Sequence, residues 1–447
     1  MTPDLLLHDA AEVLVGPDEQ ALEGASVVID GGEILAVGPA AEIERRYPRE
    51  NAARTIDAAG RAVIPGFVDS HTHALFAGDR SDEFAAKLRG KTYQEILAEG
   101  GGIHRTVDAV RAASRETLLD NLLAELDVLL AHGTTTVEVK SGYGLDLETE
   151  LLMLDVIDEA DDRHPVDVVA TFMGAHAVPR DADADAYVDR VVDEFLPAVA
   201  DQGIATFNDV FCDEGAFTVE QSRRVLEAGA EHGLTPKIHA EELARTGAAE
   251  LAADVGAASA DHLLMATRED AEALFEAGVT PTFLPGTPFG LDTEYADAEA
   301  FLAVADDLDV ASPPIAIASD LNPNCYAQSM GFASTLACVG MKLSPTDALL
   351  GATAGGAHAL NRADGLGTLR EGAPADLAVV DLEAAHLTPH HDLVSHLVYA
   401  ASAADVRHTV CDGRVLMRDR DVKPFDEDAV ATRASEHAAD LIERSTE

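Results

Sequence analysis

The sequence is poor in cysteine, in basic residues near its start and in long apolar runs, and each shortage excludes a class of protein. The cysteines of the 447-residue chain are Cys212, Cys325, Cys338 and Cys411. They have no CxxC spacing and are too few for the disulfide framework of a secreted protein, so we expect a reducing, cytoplasmic compartment. Asp4 interrupts the first short apolar run and no basic region precedes it, which does not fit a signal peptide. The longest uncharged stretch, residues 321–341, contains polar residues that are costly in lipid, so we expect no membrane contact.

Positive charge is also scarce. The chain has 31 Lys and Arg residues, of which only 6 are lysines, against 81 Asp and Glu residues, giving a net charge of −50. Such a surface repels nucleic acids and anionic membranes, so we expect a small-molecule substrate and neither of those partners. The acidic residues are spread along the whole chain, which argues against an acidic tail and favours a halophilic protein from a high-salt cytoplasm.

Short strands and turns at both ends of the chain predict a small β domain. Apolar and polar residues alternate over residues 25–30, and Gly31-Gly32 after them is a hairpin signal. Near the other end, residues 376–381 and 410–417 also have strand-like patterns. Such segments can pair into one sheet if the intervening domain leaves its ends close together. We assign residues 1–62 and 366–447 to this discontinuous domain.

Between the two ends, apolar strands alternate with helical stretches, a pattern typical of a parallel α/β architecture. We predict eight strands over roughly 300 residues, which favours a (β/α)8 TIM-type barrel at residues 63–365 over a doubly wound sheet. The strands are predicted to begin near Val63, Thr134, Val166, Phe207, Pro236, Ala258, Val279 and Ile315.

Polar residues at the strand ends carry the main functional signal. The first strand runs into His71 and His73, whose i and i+2 spacing directs both side chains to one side of an extended chain. His239 ends the fifth strand and Asp320 the eighth, and the carboxyl ends of barrel strands form the active face. Three imidazoles and a carboxylate suit Zn²⁺ or Fe²⁺, an ion that lowers the pKa of a bound water towards neutrality. A chance His-x-His in a loop is the alternative, and the position at a strand end makes it the weaker one.

Longer motifs carry a family resemblance. Four strand ends resemble the amidohydrolase superfamily, which consists of metal-dependent hydrolases with a β-sandwich built from both chain termini. Their motifs are PGFVDSHTH at the first strand end, HAEE at the fifth, DH at the sixth and SD at the eighth. Longer motifs resemble the imidazolonepropionase family, and the resemblance covers nearly the whole chain. These motifs are HTHALFAGDR, VEVKSGYGLD, FMGAHAVP, KIHAEE and SDLNP. The resemblance implies hydrolysis of the cyclic amide of 4-imidazolone-5-propanoate to N-formimidoyl-L-glutamate in histidine degradation.

The resemblance also assigns roles to matching positions. It implies that one metal ion, zinc or iron, binds to His71, His73, His239 and Asp320. It implies that the ring and its propionate contact Arg80, Tyr143 and His176, and arginine does offer a planar two-pronged donor to a carboxylate.

The remaining assignments lie near the attacked carbonyl. Glu242 and His262 are expected to be catalytic, with Glu242 also binding the substrate, and Asp320 is the candidate proton shuttle to the leaving nitrogen. Asn322 matches the family pattern, whereas Asn324 and Cys325 stand where glycine and a small hydroxyl residue are usual. We keep these three as expected substrate contacts.

Several alternatives stay open on sequence alone. In binuclear relatives a carbamylated lysine bridges two metals, and Lys140 lies close to that region, but in the imidazolonepropionase pattern this lysine is not a ligand. Another ring hydrolase acting on a hydantoin-like substrate, or a deaminase, is the nearest rival, and Arg80 and Tyr143 argue against it. A non-catalytic scaffold with the same fold is the third alternative. Such a protein should have lost one or more metal ligands, and here all four are present. The family implies a homodimer.

The charge excess predicts that stability rises with salt. The Debye length shortens from about 30 Å at 0.01 M to about 3 Å at 1 M, so repulsion among surface carboxylates is expected to weaken over this range. Thermal melts at the two ionic strengths should therefore show a higher Tm at 1 M. Equal Tm values would contradict the halophilic interpretation.

Overall fold

Two sheets organise the fold, one with nine strands from both ends of the chain and one with eight strands between them. The computed structural model describes residues 2–91, 95–96, 99–362 and 364–422. Both sheets lie within this part of the chain.

The amino-terminal segment supplies the first strands. They are β1 (Leu5–Val13), β2 (Leu22–Asp30), β3 (Glu33–Pro39), β4 (Arg54–Asp57) and β5 (Arg61–Pro65). β1, β2 and β3 are antiparallel neighbours, and β2 and β3 meet at the predicted Gly31-Gly32 hairpin. Val27 and Ile29 are buried on one face of this sheet and Val28 on the other, so the apolar run of β2 fits a strand with two covered faces.

The central segment forms a parallel barrel. Its strands are β6 (Phe67–Asp69), β7 (Thr134–Lys140), β8 (Asp167–Ala175), β9 (Phe207–Cys212), β10 (Thr235–Ala240), β11 (Ser259–His262), β12 (Thr280–Phe283) and β13 (Ala316–Ile317). They follow one another in chain order around the sheet. Two backbone hydrogen bonds lie beyond the ends of β6 and β13. The amide of His73 donates to the carbonyl of Leu321 at 2.9 Å, and the amide of Asp320 donates to the carbonyl of His71 at 3.1 Å. These two hydrogen bonds close the barrel next to the predicted metal ligands.

The first barrel strand differs from the prediction. Val63 lies in β5, where it pairs with Val379 of the terminal sheet, and the barrel begins only at Phe67. One apolar run serves both sheets, with Pro65-Gly66 between them, and a hydrophobic pattern alone does not reveal that division. The other barrel strands begin at or next to the predicted residues.

The chain returns to the first sheet through its last strands. These are β14 (Leu377–Asp381), β15 (Val406–Cys411), β16 (Arg414–Arg418) and β17 (Asp421–Val422). β14 is antiparallel to both β5 and β15, which joins the two ends of the chain. The prediction of a TIM-type barrel with a second β unit built from both termini is therefore confirmed, and its residue boundaries stay a prediction.

Helices connect the strands. They are Ala40–Arg46, Ser81–Lys87, Ile103–Ala112, Arg115–Ala131, Leu147–Arg163, Ala184–Arg190, Leu196–Gln202, Val219–Glu231, Ala248–Val255, Arg268–Ala277, Gly286–Leu291, Ala298–Asp307, Met330–Met341, Pro345–Leu350, Gly356–Ala359 and Leu393–Tyr399. Ser114, Asp146 and Thr218 start three of them by accepting a hydrogen bond from a first-turn amide. Among the described residues, every helix is too short or too polar to cross a membrane.

Candidate active site

The carboxyl ends of the barrel strands surround a cavity of about 930 Å³. Most of the predicted site residues line it. They are His73, Arg80, Tyr143, His176, His239, Glu242, His262, Asp320, Asn322 and Asn324. His71 lies directly beneath, with its ring centroid 4.5 Å from that of His239 and 5.4 Å from that of His262.

Four side chains at the base of this cavity can bind one metal ion. His73 Nε2 and His239 Nε2 are 3.3 Å apart, and Asp320 Oδ1 lies 3.8 Å from His71 Nε2 and 3.9 Å from His73 Nε2. Two nitrogens bound to a tetrahedral zinc ion at 2.0–2.1 Å are about 3.3 Å apart. The predicted ligands therefore have the spacing that a mononuclear site requires.

The polar atoms left without partners fit the same ion. His71 Nε2 is buried and has no hydrogen-bond partner within the described part of the chain. A buried polar atom is costly unless something satisfies it. Burial lowers the pKa of His71 and of His73 well below the usual range, so both imidazoles stay neutral, which is the protonation state that binds metal.

Carboxylates behind the histidines fix the orientation of their rings. His71 Nδ1 pairs with Asp261 Oδ2 at 2.6 Å, and His239 Nδ1 pairs with Asp209 Oδ1 at 3.1 Å. An imidazole that donates its other N–H to a carboxylate is held in one tautomer, and its Nε2 becomes a better metal ligand. Asp209 was not predicted as a site residue from the sequence, although it lies inside a barrel strand, where a charged residue is unusual.

Two buried lysines balance these carboxylates. Lys140 Nζ lies 2.6 Å from Glu138 Oε1 and 2.8 Å from Asp209 Oδ2, and Lys237 Nζ donates to the carbonyl of Ser70 at 2.8 Å. Burial alone would lower the pKa of Lys140, but Asp209 and Glu138 outweigh it and raise that pKa. An ammonium held between two carboxylates is not the free amine that carbamylation needs, which supports the prediction of a single metal.

A second group of carboxylates shapes the loops around the cavity. Glu150 accepts hydrogen bonds from the amides of Gly142, Gly144 and Leu145, and thus holds the loop that carries Tyr143. Asp213 accepts from the amide of Glu242 and from the two amides that follow it. Neither residue was predicted from the sequence; Asp213 lies 29 residues from Glu242, and a contact over that separation leaves no local motif.

Tyr143 and His176 form one wall of the cavity. The ring of His176 stacks on that of His73 at 4.7 Å between centroids and lies 5.2 Å from the ring of Tyr143. Burial lowers the pKa of His176 to about 3, so this imidazole is neutral. His176 Nδ1 lies 3.1 Å from the carbonyl of Gly142 and donates to it, which leaves Nε2 as a hydrogen-bond acceptor for a ring N–H.

Glu242 and His262 line the same cavity, with the His262 ring centroid 5.0 Å from that of His239. Their Oε2 and Nε2 atoms are 3.5 Å apart. Burial and the nearby Asp320 raise the pKa of Glu242 well above its usual range, while burial lowers that of His262. The raised pKa of Glu242 favours its neutral carboxyl and the lowered pKa of His262 favours its neutral imidazole, and both of these forms can donate a hydrogen bond. His262 and Asp320 both have positive φ, 78° and 53°, a strained conformation that directs their side chains into the site.

The loop after Asp320 agrees with the prediction only in part. Asn322 Oδ1 accepts from the amides of Asn324 and Cys325, and this turn leaves the two asparagines on the cavity wall. The thiol of Cys325 points into the protein, 3.8 Å from the carbonyl of Ser319, and Cys325 does not line the cavity. The structure therefore does not bring Cys325 to the predicted substrate position.

Family patterns and several known proteins are similar to this chain. The amidohydrolase family pattern matches residues 62–416, and a pattern described as an imidazolonepropionase-like composite domain of bacteria matches residues 27–49. A Halobacterium salinarum protein named imidazolonepropionase is 60% identical over 92% of this chain and 97% of its own. A protein of the same name from Haloarcula marismortui is 60% identical over 95% of this chain and 100% of its own. One from Geobacillus thermodenitrificans is 48% identical over 81% of this chain and 85% of its own.

Solved structures share the fold at lower identity. An adenosine deaminase from Xanthomonas campestris with bound zinc aligns with a TM-score of 0.75 at 22% identity, covering 97% of this chain and 98% of that one. The ochratoxinase of A. niger aligns with a TM-score of 0.66 at 19% identity, covering 96% and 99%. At these identities the likeness shows the architecture alone.

The geometry predicts about one transition-metal ion per chain in the purified protein. His239→Ala should lower the metal content strongly, because it removes one of three imidazoles from a site that Asp209 and Lys140 preorganise. Glu214→Ala is the matched control, since Glu214 lines the same cavity away from the ligands. Elemental analysis measures both variants. Two ions per chain in the unaltered protein, or a carbamylated Lys140 in its mass spectrum, would overturn the mononuclear site.

Proposed function

The chain belongs to the imidazolonepropionase family of amidohydrolases and is a hydrolase of histidine degradation, and we propose that it opens the ring of 4-imidazolone-5-propanoate in the cavity described above. In this reaction the oxygen of water bonds to the ring carbonyl carbon and the bond from that carbon to the ring nitrogen breaks. The nitrogen gains a proton, and the product is N-formimidoyl-L-glutamate.

The observation that supports this proposal best is that the four candidate metal ligands and a guanidinium lie at the same cavity. His71, His73, His239 and Asp320 converge at the base of the cavity, while Arg80 lines its side. A ring amide that carries a propionate arm needs both features at once, a polarising centre for the carbonyl and a cation for the carboxylate. A hydantoin hydrolase or a deaminase acting on an uncharged ring needs only the first.

These four ligands would hold one zinc or iron ion, which supplies Lewis acidity for the carbonyl and a lowered pKa for the attacking water. His262 is placed to donate its N–H to the negative charge that develops on the carbonyl oxygen. Glu242, whose pKa is raised by burial, is placed to donate a hydrogen bond to the substrate ring in its protonated form. Their roles are proposals that rest on the unpartnered nitrogens of His262 and on the position of Glu242 beside it.

Asp320 is placed to move the proton. The hydroxyl of Thr287 donates to Asp320 Oδ2 at 2.6 Å, which fixes the carboxylate and leaves Oδ1 facing the histidines. A carboxylate in this position can accept a proton from the attacking water and deliver it to the departing ring nitrogen, as hydrolysis requires. The choice between zinc and iron, the cytoplasmic location and the homodimer stay predictions.

The direct test is ring opening by the metal-loaded protein. We expect the ultraviolet absorbance of the imidazolone to disappear and a product heavier by one water to accumulate, identified by mass spectrometry as N-formimidoyl-L-glutamate. Hydantoin-5-propanoate and adenosine serve as comparison substrates. Faster turnover of either one, with none of the imidazolone, would replace the proposed function by a hydantoinase or a deaminase.

Two substitutions at Glu242 test its protonation state. Glu242→Gln keeps a hydrogen-bond donor of the same shape, so it should lower kcat/KM less than tenfold. Glu242→Ala removes that donor and should lower kcat/KM roughly 10- to 100-fold. Steady-state kinetics measures kcat/KM of both variants, and their metal content is measured in parallel to show that metal loss does not cause the effect. Equally large losses in both variants would show that Glu242 acts as an ionised base.

A further inference from the structure

Asp213 joins two neighbouring loops at the rim of the barrel. It follows β9 (Phe207–Cys212), the fourth barrel strand, which carries none of the predicted site residues. Its buried carboxylate accepts hydrogen bonds from four backbone amides. These amides belong to Glu242 and Leu243 at 2.8 Å, Ala244 at 3.1 Å and Glu214 at 2.6 Å. Hydrogen bonds to a carboxylate are about twice as strong as those between neutral groups, so Asp213 fixes the first residues of the loop after β10.

The register of the two strands explains this contact. Cys212 of β9 pairs with Ala240 of β10, so Asp213 and Glu241 leave the sheet side by side. Glu241 has a φ of 53°, and its buried carboxylate accepts from three amides further along the same loop. These are the amides of Thr246, Gly247 and Ala249. Two buried carboxylates therefore hold the loop that carries Glu242, Asp213 at its start and Glu241 at its end.

The Glu242 side chain depends on this backbone for its position. Within the described part of the chain, its carboxyl has a single polar contact, the 3.5 Å approach of Oε2 to His262 Nε2. That distance is long for a hydrogen bond. Glu242 lines the cavity, whereas Asp213 does not. Asp213 is therefore placed to affect the reaction through Glu242 and not by contact with the substrate.

We propose that Asp213 is a positioning residue for ring opening, which holds the Glu242 backbone so that the Glu242 carboxyl faces the substrate beside His262. This inference rests on the proposed function, and it gives the fourth barrel strand a part in the reaction. Without the Asp213 carboxylate, three successive amides of the loop lose their acceptor, and the backbone at Glu242 becomes free to move. The Glu242 carboxyl then spends less time in the productive position, and turnover falls.

A double-mutant cycle on kcat/KM tests this coupling. Asp213→Asn keeps the shape of the side chain but replaces one acceptor oxygen by an NH2 group, which cannot accept from an amide. In the otherwise unaltered, metal-loaded protein it should lower kcat/KM roughly tenfold, divided between kcat and KM as in Glu242→Ala. In the Glu242→Ala variant the same change should lower kcat/KM less than twofold, because the group that Asp213 positions is already absent.

Glu150→Gln is the matched control. Glu150 is also buried and accepts from three backbone amides, but it holds the loop of Tyr143. Its substitution should therefore lower kcat/KM by the same factor with and without Glu242. Asp213→Ser, whose hydroxyl can still accept from an amide, repeats the measurement if Asp213→Asn does not fold. An Asp213 substitution that lowers kcat/KM equally in both backgrounds, leaves it unchanged, or removes the metal would overturn the inference.

Turnover by the unaltered protein separates this inference from the proposed function. Failure to open the imidazolone refutes the proposed function, and the cycle is then measured on the comparison substrate that the protein does hydrolyse. Ring opening of the imidazolone, with independent effects of Asp213→Asn and Glu242→Ala, refutes the role of Asp213 alone.

Discussion

The buried pairing of imidazole with carboxylate is the interaction on which the site depends. His71 with Asp261 and His239 with Asp209 repeat the same arrangement on different barrel strands, and each pair turns a ring nitrogen towards the metal position. Buried carboxylates would be unstable alone, and Lys140 and Lys237 supply the opposite charge beneath them. A barrel makes this possible because its strand ends converge on one point.

The acidic residues that the structure describes occupy two kinds of position. Most of them lie outside the buried core, and an effect of their charge on salt response stays a prediction. A few, such as Glu150 and Asp213, are turned inwards to bind successive backbone amides of the cavity loops. They hold Tyr143 and Glu242 in place without a metal or a disulfide. Lysine is used sparingly, and two of the five lysines in the described part of the chain are fully buried under the site.

The sequence predicted the barrel, the terminal β unit and the convergence of the candidate metal ligands, because strand ends and motifs are local patterns. It placed Val63 in the wrong sheet, because one apolar run continues across Pro65-Gly66 into both. It also pointed Cys325 towards the substrate, whereas the turn at Asn322 directs the thiol inwards. The contact between Lys87 and Asn324 joins positions 237 residues apart, a relation that no local pattern contains.

X-ray absorption at the metal edge tests the central claim most directly. With three imidazoles and one carboxylate around a single ion, the spectrum should show only nitrogen and oxygen neighbours at about 2.0–2.2 Å, together with the outer-shell scattering of three imidazole rings. A metal–metal distance of about 3.5–4 Å would show a binuclear site and contradict this arrangement. A sulfur neighbour at about 2.3 Å would contradict it equally, because it would bring a cysteine to the metal.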